Sequence, residues 1–230
     1  QTAITFVAFV ILFMAPGNEM RVASEITTWM PGYKELSVGN HLFMTIQWML
    51  SSFANEGKAF FIAIWAAGFL LLIKSKKAKV YQILAIVFSV AAILPYAGIT
   101  FFSEMGIGDI DIEQCLTELP TWQSMTTQNR IAFFWWIAAV LFTLVLLWKV
   151  TGHSVFISMV FLGGIASEAV LYFSPTIYAS GARVYYLTDL MYLFIILWMV
   201  MRMDSEKKKN LFIAGTAALG VINFLSQYSI

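Results

Sequence analysis

Arg130-Ile131-Ala132-Phe133-Phe134-Trp135-Trp136-Ile137-Ala138-Ala139-Val140-Leu141-Phe142-Thr143-Leu144-Val145-Leu146-Leu147-Trp148-Lys149 decides the fold class. A cation stands at each end, and residues 131–148 between them carry no charge. A helix needs about 20 apolar residues to cross the hydrocarbon core of a bilayer. This stretch is nearly that long, and it lacks the polar–apolar alternation of a half-buried strand. In hydrocarbon only helices and closed barrels satisfy every backbone hydrogen bond, so the stretch reads as a transmembrane helix.

Similar apolar runs cover residues 1–14, 59–73, 80–102, 154–173, 183–201 and 211–229. Across the chain 60% of residues are apolar and 12% are charged, where a soluble domain has about 25% charged. Mean hydropathy is +0.79. The expected fold is all-α, a single polytopic transmembrane helix bundle over 1–230 with about seven spans and one interfacial amphipathic helix. A net charge of +1 gives no footprint for nucleic acid. The single cysteine, Cys115, excludes an internal disulfide and a multi-cysteine zinc site. The chain begins at Gln1, and its first apolar run is short for a span. The expectation is therefore that it forms the C-terminal part of a longer protein.

Charge orients the bundle. Lys74-Ser75-Lys76-Lys77-Ala78-Lys79 is strongly basic, as are Lys207-Lys208-Lys209 with Arg202 before them, and Lys149 and His153 occupy a third short link. Positively charged links stay in the cytoplasm, so these three are expected there. The opposite side then carries 103–130, an acidic outer loop with Glu104, Asp109, Asp111, Glu113 and Glu118 ahead of Arg130. It also carries 174–182 and an outer loop at 15–58. Within 15–58, Leu42, Phe43, Ile46, Met49, Leu50 and Phe53 share one helical face, and His41, Thr45, Ser51, Ser52 and Asn55 fall mainly on the other. A helix this short and amphipathic is expected to lie in the outer interface.

Four constellations could carry chemistry. In Ala15-Pro16-Gly17-Asn18-Glu19-Met20-Arg21, Pro16 and Gly17 break a helix and Asn18 can cap the next. Arg21 either snorkels to headgroups or faces an anion such as a lipid phosphate, alongside backbone N–H groups. Arg183 follows the Ser174-Pro175 break, and Arg130 stands in a similar setting upstream. Both open outer-to-inner helices, the wrong end for the helix dipole and the leaflet that disfavours cations. They are therefore either interface anchors or ligands of an anion: a carboxylate, a lipid headgroup or a substrate phosphate. Glu168 lies inside an apolar run beside Gly163, Gly164, Ala166 and Ser167, small residues that allow close helix approach. An intramembrane carboxylate faces a bundle interior, either in an ion pair with Arg183 or Arg130 or as a base or proton carrier. Asp189 is weighed the same way. Asp109-Ile110-Asp111 is a weak candidate for a divalent cation and otherwise an acidic solvated loop. No other metal site is expected.

The Ala15-Pro16-Gly17-Asn18-x-x-Arg21 turn, with Ser174-Pro175 and the helix-opening Arg183, resembles an uncharacterised bacterial family of multi-pass membrane proteins. That family resembles GT-C type glycosyltransferases, which take a sugar from a polyprenyl-phosphate donor and work on the outer face of the inner (plasma) membrane. The resemblance implies that Asn18, Arg21, Arg130 and Arg183 bind the lipid phosphate and that the acceptor is a cell-envelope glycan. The acidic residues that serve catalysis in GT-C enzymes usually lie in the first outer loop, which would precede Gln1. The catalytic residue of this chain therefore stays open, with Glu168 the one candidate on it. Two other readings remain: a lipid-linked-sugar flippase or transporter, and a non-catalytic subunit that packs against a partner membrane protein or the missing N-terminal part.

Overall fold

A computed structural model describes residues 18–29, 32–99, 101–102, 121–170 and 185–228, with the backbone alone at 18–22, 29, 77 and 223–228. Within these residues the chain is helical and contains no strand. The helices are α1 (Asn18–Trp29), α2 (Val38–Asn55), α3 (Lys58–Leu72), α4 (Lys79–Ile93), α5 (Thr127–Val150), α6 (Val155–Ala169), α7 (Tyr186–Met201) and α8 (Glu206–Tyr228). Short 3-10 turns cover Tyr33–Glu35, Lys76–Ala78 and Leu94–Ala97.

The boundaries follow local chemistry. Ser37 caps α2 by accepting the Asn40 N–H at 3.2 Å, and Thr126 caps α5 by accepting the Asn129 N–H at 3.1 Å. After α4, Pro95 tightens the chain into its 3-10 turn, and Gly98 ends it at φ 78°, a left-handed conformation that glycine adopts without strain. Between α5 and α6, Gly152 and His153 both have positive φ, 65° and 72°, which lets two long helices reverse through a short link.

Among the described residues two helical segments are long and apolar enough to cross a membrane: Lys79–Ala97 and Thr127–Val150. A third qualifies if α2 and α3 form one span, bent by 68° at a break over Glu56 and Gly57. The apolar helices α6 and α7 are described over 15 and 16 residues, shorter than a full span. The run at 1–14 lies outside the described residues. Large apolar side chains stand on the outside of these helices, among them Phe134, Leu141, Phe156, Met159 and Leu197. A surface this apolar belongs in lipid.

The core is aromatic. Phe61 of α3 is fully buried, with its ring 5.2 Å from Phe53, 5.7 Å from Trp65, 5.6 Å from Trp136, 6.2 Å from Phe161 and 5.6 Å from Tyr192. Five helices thus meet on one ring. Trp65 donates its indole N–H to the Thr143 hydroxyl at 2.8 Å, and Thr143 donates to the Ala139 carbonyl at 2.7 Å. Close approach depends on glycine at two contacts. A Cβ on Gly68 would stand 2.7 Å from Leu146, and one on Gly164 would stand 2.8 Å from the Tyr192 ring.

The basic links share one end of the bundle. Lys74, after α3, meets Asp204, after α7, at 3.1 Å, and Lys208 closes on the same carboxylate at 2.8 Å. Gly68 and Leu146 lie near the C-terminal ends of α3 and α5, so the link that follows α5 is at this end too. At the opposite end Lys58 lies over Tyr96, Phe43 packs on Trp122 and Phe133, and Trp48 packs on Tyr185.

Helix α2 differs from expectation. Met44, Thr45, Gln47, Trp48, Leu50, Ser51, Ser52, Phe53 and Ala54 are all buried, while Leu42 is 51% exposed. The hydroxyl-bearing side is turned into the bundle instead of toward water. Where hydrocarbon surrounds the bundle, the polar face of an amphipathic helix is better placed inward.

Replacing Phe61 by Ala is expected to destabilise the bundle by about 2 kcal/mol. This is below the ~3–5 kcal/mol of a soluble core, because lipid leaves the cavity loss but removes most of the water-transfer gain. Leu141→Ala on the lipid face should cost under about 0.5 kcal/mol. Unfolding of both variants in detergent micelles by denaturant titration compares them. The flanking lysines hold the exposed Asp204 carboxyl well below its ordinary range, down to about 2. Its contribution is complete above an unfolded carboxyl's value of about 3.9 and is lost as pH falls toward about 2. Thermal scans between pH 5 and 2 should show a small stability loss in wild type that Asp204→Asn lacks.

Candidate functional site

Helices α2, α6 and α7 build a polar group inside the apolar bundle. Glu168 stands in the last turn of α6 with 1% of its surface exposed. Its Oε2 accepts a hydrogen bond from the Ser52 hydroxyl at 2.7 Å, a contact between residues 116 apart in sequence. The Ser52 hydroxyl also lies 2.9 Å from the Met49 carbonyl. It has a single proton to give, and the carboxylate is the stronger acceptor.

A second layer comes from α7. Thr188 is buried and adjoins the Glu168 carboxyl. Its hydroxyl lies 2.9 Å from that of Ser167, and both reach the Gly164 carbonyl, at 3.1 and 2.7 Å. Gly164 is therefore required twice, for closeness to Tyr192 and for an accessible carbonyl. Two more carboxylates, Asp189 and Glu56, lie near enough to act on Glu168 through space. Asp189 is half-buried in the first turn of α7, and Glu56 is exposed at the α2–α3 break. Tyr192 is 1% exposed, with its ring stacked 5.4 Å from Phe161, and its hydroxyl has no hydrogen-bond partner among the described residues. A buried hydroxyl without a partner costs about 1–3 kcal/mol.

Arg130 is placed elsewhere. It lies in the first turn of α5, donates from Nη2 to the Trp122 carbonyl at 3.1 Å and lies 5.1 Å over the Trp122 ring. Its Nε is buried with no hydrogen-bond partner among the described residues. The expected pairing of Glu168 with Arg130 is not made: Glu168 is held by Ser52 and Arg130 by Trp122. Helix α2 accounts for the separation. Phe43 packs on Trp122 and Phe133 near Arg130, Ser52 holds Glu168, and nine residues of helix between them span about 13 Å.

Asn18 and Arg21 fall on α1, which is described from Asn18 onward. Their side chains, together with Arg183, Ser174-Pro175, Asp109, Asp111 and Glu113, lie outside the described residues. Among the described residues no three potential ligands converge on a metal position. Ser52 was assigned in sequence to a water-facing side, and Thr188, Glu56 and Tyr192 carry no signal of their own. The available clue was the Gly163-Gly164 pair, which marks the α6 face that meets α7.

Ser52→Ala should destabilise the protein by about 1–3 kcal/mol, because it strips a buried carboxyl of its donor. With Glu168→Gln already in place the same change should cost less. A double-mutant cycle on unfolding in micelles is expected to give a coupling of at least about 0.5 kcal/mol. A coupling near zero would remove this contact from the site. No family model, curated protein or solved structure matches the chain.

Proposed function

We propose that the chain is a membrane glycosyltransferase, or the C-terminal half of one. It transfers a sugar from a polyprenyl-phosphate donor to a cell-envelope glycan on the outer face of the bacterial inner membrane. In this reading the end with Lys74, Lys208 and Lys209 faces the cytoplasm, and the seven apolar runs cross the bilayer. The observation that carries the reading is the buried polar group around Glu168, set at the end away from the basic links. Its carboxylates can orient or deprotonate a sugar hydroxyl, and the Tyr192 hydroxyl can donate to one. Arg130, Arg21, Asn18 and Arg183 serve the departing phosphate, whose developing charge a guanidinium stabilises. The polyprenyl donor rests on the likeness of the Pro16-Gly17-Asn18-x-x-Arg21 and Ser174-Pro175…Arg183 motifs to GT-C type proteins.

A flippase or transporter for a lipid-linked sugar is the second reading, favoured by one feature. The α2–α3 pair is bent by 68° beside an intramembrane acid, and interrupted helices of this kind line transport sites.

Membranes containing the full-length protein, supplied with radiolabelled polyprenyl-phosphate sugar, separate the two. Under the enzyme reading label enters the envelope glycan. Arg183→Ala and Arg130→Ala should each lower transfer by about 100-fold while the protein still inserts, and Glu168→Gln should lower it with an altered pH profile. Translocation of the lipid without glycan labelling would replace the enzyme with the flippase, and arginine variants with unchanged transfer would remove those side chains from the site.

A further inference from the structure

A cavity of about 710 Å³ lies between α3, α4 and α8, well away from Glu168. Its walls are almost wholly hydrocarbon, with Ile62, Phe69, Ile86, Val90, Phe212 and Leu219 among them. The volume is within the ~300–1,000 Å³ typical of small-molecule sites, yet the polar anchors of such sites are nearly missing. Helix α8 forms one wall of this space and touches α3 beside it: Phe212 is buried, while Leu211 and Ile213 are 63% and 55% exposed. A Cβ on Gly215, which lines the cavity, would meet nothing within 4 Å.

A cation stands near one end of the cavity, outside its wall. Tyr96 lines it there, and the Lys58 ammonium lies 4.2 Å above the Tyr96 ring. Among the described residues Lys58 makes no ion pair. A half-buried cation over an aromatic ring at the mouth of a hydrocarbon slot is complementary to an amphiphile with an anionic head. We infer that this slot holds one acyl chain of an anionic phospholipid, with its phosphate at Lys58 and its tail between α8 and the α3–α4 pair. The lipid fills the space beside the direct α3–α8 contact, and so fastens α8 to the bundle. The inference stands apart from the sugar-transfer reading, since it uses neither Glu168 nor the arginines.

The test is thermal unfolding of the delipidated full-length protein in a neutral detergent, titrated with phosphatidylglycerol or phosphatidylcholine of identical chains. Phosphatidylglycerol should raise the melting temperature in a saturable way and bind about fivefold tighter than phosphatidylcholine, the preference a single nearby lysine supplies. Lys58→Gln should bring the two lipids to equal affinity. Gly215→Leu, which sends a side chain into the slot from a position where a Cβ meets nothing, should weaken the saturable shift for both. Should Gly215→Leu fail to fold, the Lys58→Gln comparison decides alone. Equal binding of the two lipids by wild type, or a Lys58→Gln protein that keeps the preference, would overturn the inference.

Discussion

A carboxylate enclosed by apolar helices must find its donors on the helices around it, because neither lipid nor bulk water reaches it. Glu168 obtains one from Ser52. That single contact fixes how α2 lies: its hydroxyl side must turn inward, and its C-terminal half must enter the bundle. With α2 placed, Phe53 reaches the Phe61 cluster and Trp48 covers Tyr185, so the packing at this end of the bundle is arranged around a polar requirement. The glycines at 68 and 164 serve the same end, since they bring α5 and α7 close enough to close the core.

The site and the bundle are coupled in a way that bears on function. Tyr192 belongs to both, as a ring in the aromatic core and as a hydroxyl beside the acids. A ligand that engages this hydroxyl acts directly on the α6–α7 packing, because the same ring fills the space left by Gly164. Arg130, about 13 Å away along α2, is held by its own loop through Trp122, which presets the guanidinium independently of Glu168. The two groups therefore make no ion pair with one another and are each held by a neighbour of their own.

Much of the helical layout was legible in the sequence, because hydrocarbon imposes a coarse and strong rule. The runs at 59–73, 80–102 and 131–148 overlap α3, α4 and α5, and the shared end of the basic links follows the lysine clusters. The orientation of α2 was not legible. Its buried residues come from both faces, Leu50 and Phe53 from the apolar one and Thr45, Ser51 and Ser52 from the other, and a period of 3.6 does not say how much of a helix meets the protein. That depends on Glu168, which lies more than a hundred residues downstream. The expected Glu168–Arg130 pair failed for a related reason. Charge complementarity names possible partners, while the distance between them is set by helix α2, which sequence spacing does not reveal.

The break at Glu56 and Gly57 has an electrostatic meaning of its own. Two half-helices abut there, and the Ser52 carbonyl accepts both the Glu56 and the Gly57 N–H at 2.9 Å. The partial positive charge at the uncapped start of α3 there meets the partial negative charge at the end of α2, whose C-cap is Glu56, so the two largely offset one another. A peptide dipole cannot be titrated and is not displaced by salt as a mobile counter-ion is. Glu56 therefore sits between two opposed backbone dipole ends whose balance depends on the 68° bend and on neither pH nor salt.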